Sequence, residues 1–139
     1  MRRSGNYHRL FIHFVWATND RQPFVTPAVE TVLFAHVKSR CDEMQVQVFA
    51  INGMPDHVHL LVRLPPTAAP SDFMQFIKGG SDHFVNKCSG LSSPLKWQDG
   101  YGAISLRESE IDVVIRYISN QKRHHSDGKL SAILERTIG

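Results

Sequence analysis

The chain has 139 residues, 42% of them hydrophobic and 21% charged, which suits one globular domain with a real core and argues against disorder. Its formal net charge of +3 and pI of about 9.1 are a mild basic bias, permissive for nucleic acid without demanding it. No apolar run approaches the roughly 20 residues needed to span a bilayer, and no charged-then-apolar leader opens the chain. Cys41 and Cys88 have no metal-type spacing and are expected to be reduced thiols of a cytosolic protein. Eight histidines are the unusual feature of the composition.

The pattern predicts alternating strands and helices. Leu10 to Thr18 is apolar on both faces, as in a central strand. Thr26-Pro27 reads as N-cap and first helical residue, and Val29, Val32, Leu33, Val37 and Cys41 follow as one apolar stripe. Val46 to Ile51 and His57 to Leu64 are predicted as an antiparallel hairpin around Asn52-Gly53. A second helix starts near Ser71 and carries Phe73, Phe76, Ile77, Gly80 and Phe84 on its inner face. Its internal Gly79-Gly80 suggests a close backbone approach. Lys87 to Gly100 is a loose connection, and Tyr101 to Leu106 a short fourth strand. Ser109 with Asp112 resembles a capping box for a third helix with Ile111, Val114, Ile115 and Ile118 inside. Lys122, Arg123, His124 and His125 crowd its end, where cations suit the helix dipole. The order β-α-β-β-α-β-α predicts an α+β, ferredoxin-like antiparallel sheet with helices on one face.

His57 and His59 stand two apart on a predicted strand. Both imidazoles therefore project from one face, Cα atoms about 6.6–7 Å apart, while Val58, Leu60, Val62 and Leu64 face the core. Such a pair holds one divalent cation, or is simply two polar residues on a solvated face. Tyr117 and Gln121 are four apart, stacked on one face of the third helix. They offer a phenolic nucleophile and an amide ligand, or ordinary packing beside a core stripe. Asp56 adjoins the pair, but alternation points it away unless the turn redirects it.

The segment Met54-Pro55-Asp56-His57-Val58-His59-Leu60-Leu61-Val62 resembles the HUH motif (His, hydrophobic, His) of the single-tyrosine insertion-sequence transposases, relatives of the REP-associated tyrosine transposases. His13 to Thr18 with Arg21 and Pro23, Lys78-Gly79, Gly100 to Ser105, Tyr117 to Gln121 and His124-His125 match further blocks in order. The resemblance spans about residues 7–125 of a single domain, 1–139, with a shortened tail at 126–139. It implies a transposase acting on single-stranded DNA that carries hairpins. His57, His59 and Gln121 would hold Mg²⁺ or Mn²⁺. Tyr117 would attack a phosphodiester, giving a 5′-phosphotyrosine link and a free 3′-OH. It also implies a cytoplasmic homodimer that needs neither membrane nor nucleotide triphosphate.

Arg9, Arg21 and Lys78, with Arg2, Arg3 and Lys87, are candidate phosphate contacts or plain solubilising charge. Trp97 and Tyr101 stack on unpaired bases or anchor the fold. His13 reads as a core histidine. Two other functions fit the same features: a non-catalytic single-stranded nucleic-acid-binding module or domesticated host relative, and a small metallohydrolase using activated water.

Overall fold

The computed structural model describes residues 6–89, 95–123 and 131–137. Arg2, Arg3, His124 and His125, named above, lie outside them, as do residues 90–94 of the Lys87 to Gly100 connection.

Four strands, β1 (Leu10–Ala17), β2 (Gln47–Met54), β3 (His57–Leu64) and β4 (Gly102–Leu106), form one antiparallel sheet in the order β2-β3-β1-β4. This is the expected ferredoxin-like arrangement, with the hairpin β2-β3 at one side and β1 central. The hairpin turns at Pro55-Asp56, however, and not at Asn52-Gly53, which stay in β2 paired with His59 and Val58. Helix α1 (Pro27–Glu43) starts as predicted, with Val29 N–H donating to the Thr26 hydroxyl at 3.4 Å. Its buried Val29, Leu33, Val37 and Cys41 recur every fourth residue and lie against the sheet. Each such side chain contributes on the order of 1.5–3 kcal/mol by burial. Both cysteines are free thiols, Cys41 buried and Cys88 exposed.

The second predicted helix is two helices, α2 (Pro70–Lys78) and α3 (Ser81–Ser89), and it begins at Pro70 rather than at a Ser71 cap. Gly80 has φ +81°, a left-handed conformation that breaks the helix, and a Cβ on Gly79 would sit 2.5 Å from the Gln75 carbonyl oxygen. Past that break the expected inner face fails: Phe73 and Ile77 are buried, Phe84 is exposed.

The expectation that the helices share one face is corrected for the last of them. Helices α1, α2 and α3 pack over Phe14, Trp16, Val58, Leu60 and Val62. Helix α4 (Ile111–Ser119) lies across the opposite face, its Ile111, Val114 and Ile118 against Phe11 and Leu61. Strand alternation supplies the reason: Phe11 and Leu61 form an apolar patch on the face away from the main core, and α4 covers it. A 3-10 turn at Glu108–Glu110 precedes α4, and the Glu110 carboxylate, not the Ser109-Asp112 pair, accepts from a backbone N–H, that of Arg107 at 2.8 Å. No helix among the described residues is long and apolar enough to cross a membrane.

Candidate metal and tyrosine site

His57 and His59 lie on β3 on the face that α4 covers, and both are buried. The register sets His57 opposite Ala17 and Met54, and His59 opposite Val15 and Asn52. Gly53 makes this pairing possible, since a Cβ there would fall 2.2 Å from the His57 carbonyl oxygen. The rings meet edge to face, centroids 5.1 Å apart.

Each imidazole is anchored through Nδ1 and presents Nε2 inward. His57 Nδ1 donates to Asp56 Oδ1 at 2.7 Å, because the tight turn before β3 brings Asp56 back beside the ring that alternation alone would take it from. Arg21 Nη1 stands 3.5 Å from the same nitrogen and 3.6 Å from Asp56 Oδ2. His59 Nδ1 meets the Nε2 of His13 at 2.8 Å. The inward nitrogens converge on a residue that sequence reasoning missed: His57 Nε2 is 3.0 Å from Glu135 Oε1, and His59 Nε2 is 3.0 Å from Glu135 Oε2.

Tyr117 and Gln121 reach the same carboxylate. The Tyr117 hydroxyl donates to Glu135 Oε2 at 2.6 Å and accepts from Ser131 N–H at 2.9 Å. Helix α4 ends at Ser119, so Gln121 stands just beyond it, in a short helical turn, rather than on the same helix as predicted. It is fully buried nonetheless. Its Nε2 donates to Glu135 Oε2 at 3.3 Å and its Oε1 lies 3.4 Å from His57 Nε2. The four residues singled out from the sequence, His57, His59, Tyr117 and Gln121, thus surround one carboxylate.

Glu135 arrives on a turn at residues 132–135, closed by its own N–H donating to Ser131 O at 3.0 Å. The next residue crosses β4 where Gly102 leaves room; a Cβ on Gly102 would lie 2.0 Å from Arg136 O. Nothing local in the tail marks Glu135 among the thirteen acidic residues, so no sequence signal short of the fold could have found it.

The charges follow. Burial opposes a charge on His57, yet the carboxylates of Asp56 and Glu135 overcome it and raise the imidazole to about 9. Burial would raise Glu135, but His57, His59 and the Tyr117 hydroxyl together lower it well below the usual range. Burial and the Glu135 carboxylate push the Tyr117 phenol up to about 12. Burial, then His59, lowers His13 to about 3, so it is neutral.

The residues fit a divalent cation. One ligand atom from each of His57, His59 and Glu135 lies within 4.8 Å of the others. Two imidazole nitrogens and a carboxylate suit first-row divalent metals, and both rings have outer partners that orient them. A cleft of about 520 Å³, lined by Arg21, Pro23, Met54, Pro55, Asp56, His57 and Glu135, opens onto this cluster.

The remaining candidates stand elsewhere. Arg9 pairs with Glu108 and lies over the Phe11 ring, at the end of β1 remote from Ala17 and His57. Lys78 donates to the carbonyls of Gln98 and Gly100 at 2.7 and 2.8 Å. Trp97 is buried, its indole N–H donating to Ser81 Oγ at 2.8 Å, and meets Trp16 edge-on. Tyr101 is half-buried beside Phe14. Of the DNA-contact candidates among the described residues, only Arg21 stands at the site.

An antiparallel four-stranded sheet, with paired histidines on one face and a tyrosine helix laid across them, defines the class. The chain belongs to the family described as IS200-like transposases, whose profile matches residues 6–121. It is 25% identical over 122 residues to the ISDra2 transposase TnpA of Deinococcus radiodurans, covering 84% of this chain and 87% of that one. A crystal structure of a Deinococcus radiodurans protein assigned as a transposase superposes with a TM-score of 0.70 at 25% identity, covering 87% of this chain and 97% of the other. A REP-associated tyrosine transposase bound to a REP hairpin shares the fold, with a TM-score of 0.63 at 16% identity, over 94% of this chain and 76% of that one.

Proposed function

We propose that this transposase cleaves and rejoins single-stranded DNA through Tyr117, with a divalent cation held by His57 and His59. The observation that carries the reading is the convergence of both Nε2 atoms and the Tyr117 hydroxyl on the two oxygens of Glu135. Nε2 of each histidine, a Glu135 oxygen and the Gln121 Oε1 are the donors for Mg²⁺ or Mn²⁺. The nitrogen pair favours Mn²⁺ by ligand preference.

A phenol at about 12 is a poor nucleophile at neutral pH. A bound cation would supply positive charge that offsets the Glu135 charge raising the phenol and the charge on a non-bridging phosphate oxygen. Tyr117 Oη then attacks phosphorus, and its proton has an acceptor in place at Glu135 Oε2. The P–O3′ bond breaks, leaving a 5′-phosphotyrosine link and a 3′-oxygen that takes up a proton. Attack by a 3′-OH on that link reverses the step and rejoins strands. The link conserves the energy of the broken bond, so no nucleotide triphosphate is needed.

Arg21 is placed to meet the incoming phosphate. It lines the cleft, and both it and Asp20 are held at positive φ, 55° and 54°. Such strain costs about 1–3 kcal/mol per residue and concentrates at functional sites. The relative solved with a hairpin supports hairpin-bearing DNA as partner. The reading further takes residues 1–139 as one cytoplasmic catalytic domain working as a homodimer.

The test is an adduct assay. Labelled hairpin-bearing oligonucleotide with Mn²⁺ should yield a denaturation-resistant protein–DNA adduct, abolished by EDTA and by Tyr117→Phe. Equal adduct from Tyr117→Phe would remove Tyr117 from the chemistry. Salt-dependent binding without adduct, indifferent to chelator and to His57→Ala, would mark a non-catalytic binding module instead.

A further inference from the structure

We infer that His13 is a positioning residue: it holds the proton of His59 on Nδ1 and leaves Nε2 bare for the cation. This rests on the metal reading above. His13 lies on β1, on the same sheet face as His59 and diagonal to it in the register, since His13 pairs with Leu61 and Val15 with His59. Both side chains are fully buried. Their rings are tilted by 31° with centroids 5.0 Å apart, and His13 Nε2 stands 2.8 Å from His59 Nδ1.

A neutral imidazole carries one proton, on one nitrogen. A nitrogen that ligates must be bare, so a ligating His59 Nε2 puts the His59 proton on Nδ1. Across the contact His59 then donates, and His13 Nε2 must accept. His13 therefore keeps its own proton on Nδ1, an atom that is buried and has no hydrogen-bond partner among the described residues. The two ligands are thus oriented by different chemistry. Asp56, a carboxylate, takes the outer proton of His57, and a second imidazole takes that of His59. A neutral acceptor adds no negative charge behind His59, in a site that already holds the Glu135 carboxylate.

The experiment compares wild type, His13→Phe and His13→Gln by calorimetric Mn²⁺ titration, with ¹⁵N NMR of the imidazoles in Zn²⁺-loaded wild type. His13→Phe keeps a ring but loses the acceptor, and should weaken Mn²⁺ binding about 10–100-fold. His13→Gln offers an amide oxygen and should recover most of that loss. The NMR spectrum should show the His59 proton on Nδ1 in the loaded protein. Wild-type Mn²⁺ affinity in a folded His13→Phe would overturn the assignment while leaving the metal site standing, whereas a His59 proton on Nε2 in the loaded protein would overturn it and remove His59 Nε2 from the ligands as well. If His13→Phe does not fold, His13→Gln and the wild-type spectrum still decide. Wild type that binds no cation would bring down the metal reading, and this inference with it.

Discussion

Tyr117 and Glu135 share a proton: the hydroxyl donates to Oε2 at 2.6 Å, and that oxygen is also the one 3.0 Å from His59 Nε2. The candidate nucleophile and the candidate ligand are therefore coupled, and whatever alters the charge of Glu135 alters both.

Glu135→Gln removes the charge and keeps the shape. Mn²⁺ affinity is expected to fall by about tenfold or more, read by calorimetry. The Tyr117 phenol, now without a carboxylate beside it, should ionise below its present value of about 12, read as tyrosinate absorbance on alkaline titration. A Tyr117 titration unchanged from wild type would contradict the coupling.

The metal-free protein should lose stability as pH rises. His57 goes from 6.5 when unfolded to about 9 when folded, so its contribution is complete below 6.5 and disappears as pH climbs through 9. His13 runs the other way. Its value drops from 6.5 to about 3, so its contribution is complete above 6.5 and fades as pH falls toward 3. Thermal melts across pH should show both declines. Mn²⁺ should bind more tightly at pH 8 than at pH 6, on the order of a hundredfold, because His57 must shed a proton to ligate and both pH values lie below its value of about 9.

Gly102→Ala tests how Glu135 is delivered. The new Cβ would meet Arg136 O at 2.0 Å and Val15 Cγ1 at 2.9 Å, so the tail has to lift. Mn²⁺ affinity should drop about as far as in Glu135→Gln, and limited proteolysis should cut the tail faster than in wild type. Both should hold although no ligand has been replaced.

Lys78→Met separates two roles for one cation. The ammonium holds the Gln98 and Gly100 carbonyls, and losing it should cost about 1–3 kcal/mol in denaturant unfolding. A variant of unchanged stability but weakened oligonucleotide binding, with a shallower salt dependence, would make it a phosphate contact instead.

Much of the local structure was written in short-range pattern. The Thr26-Pro27 start of α1 and its every-fourth-residue stripe follow from capping and spacing, and so does the pairing of β2 with β3, although not the position of its turn. The helix break at Gly79-Gly80 was half legible. Two glycines announce a close approach, but only the positive φ of Gly80 turns it into two helices.

The sequence by itself put His57 and His59 on one sheet face and Tyr117 near Gln121, because the periods of strand and helix are properties of adjacent residues. Tertiary structure alone decided the rest. It laid α4 on the histidine face to cover Phe11 and Leu61, it sent Trp97 and Lys78 into packing, and it carried Glu135 across Gly102 into the cluster. Asp56, Glu135 and His13 became partners of the histidines only there. A buried charge or ring is selected by what folding brings beside it, and residues far apart in sequence leave no mark of that on one another.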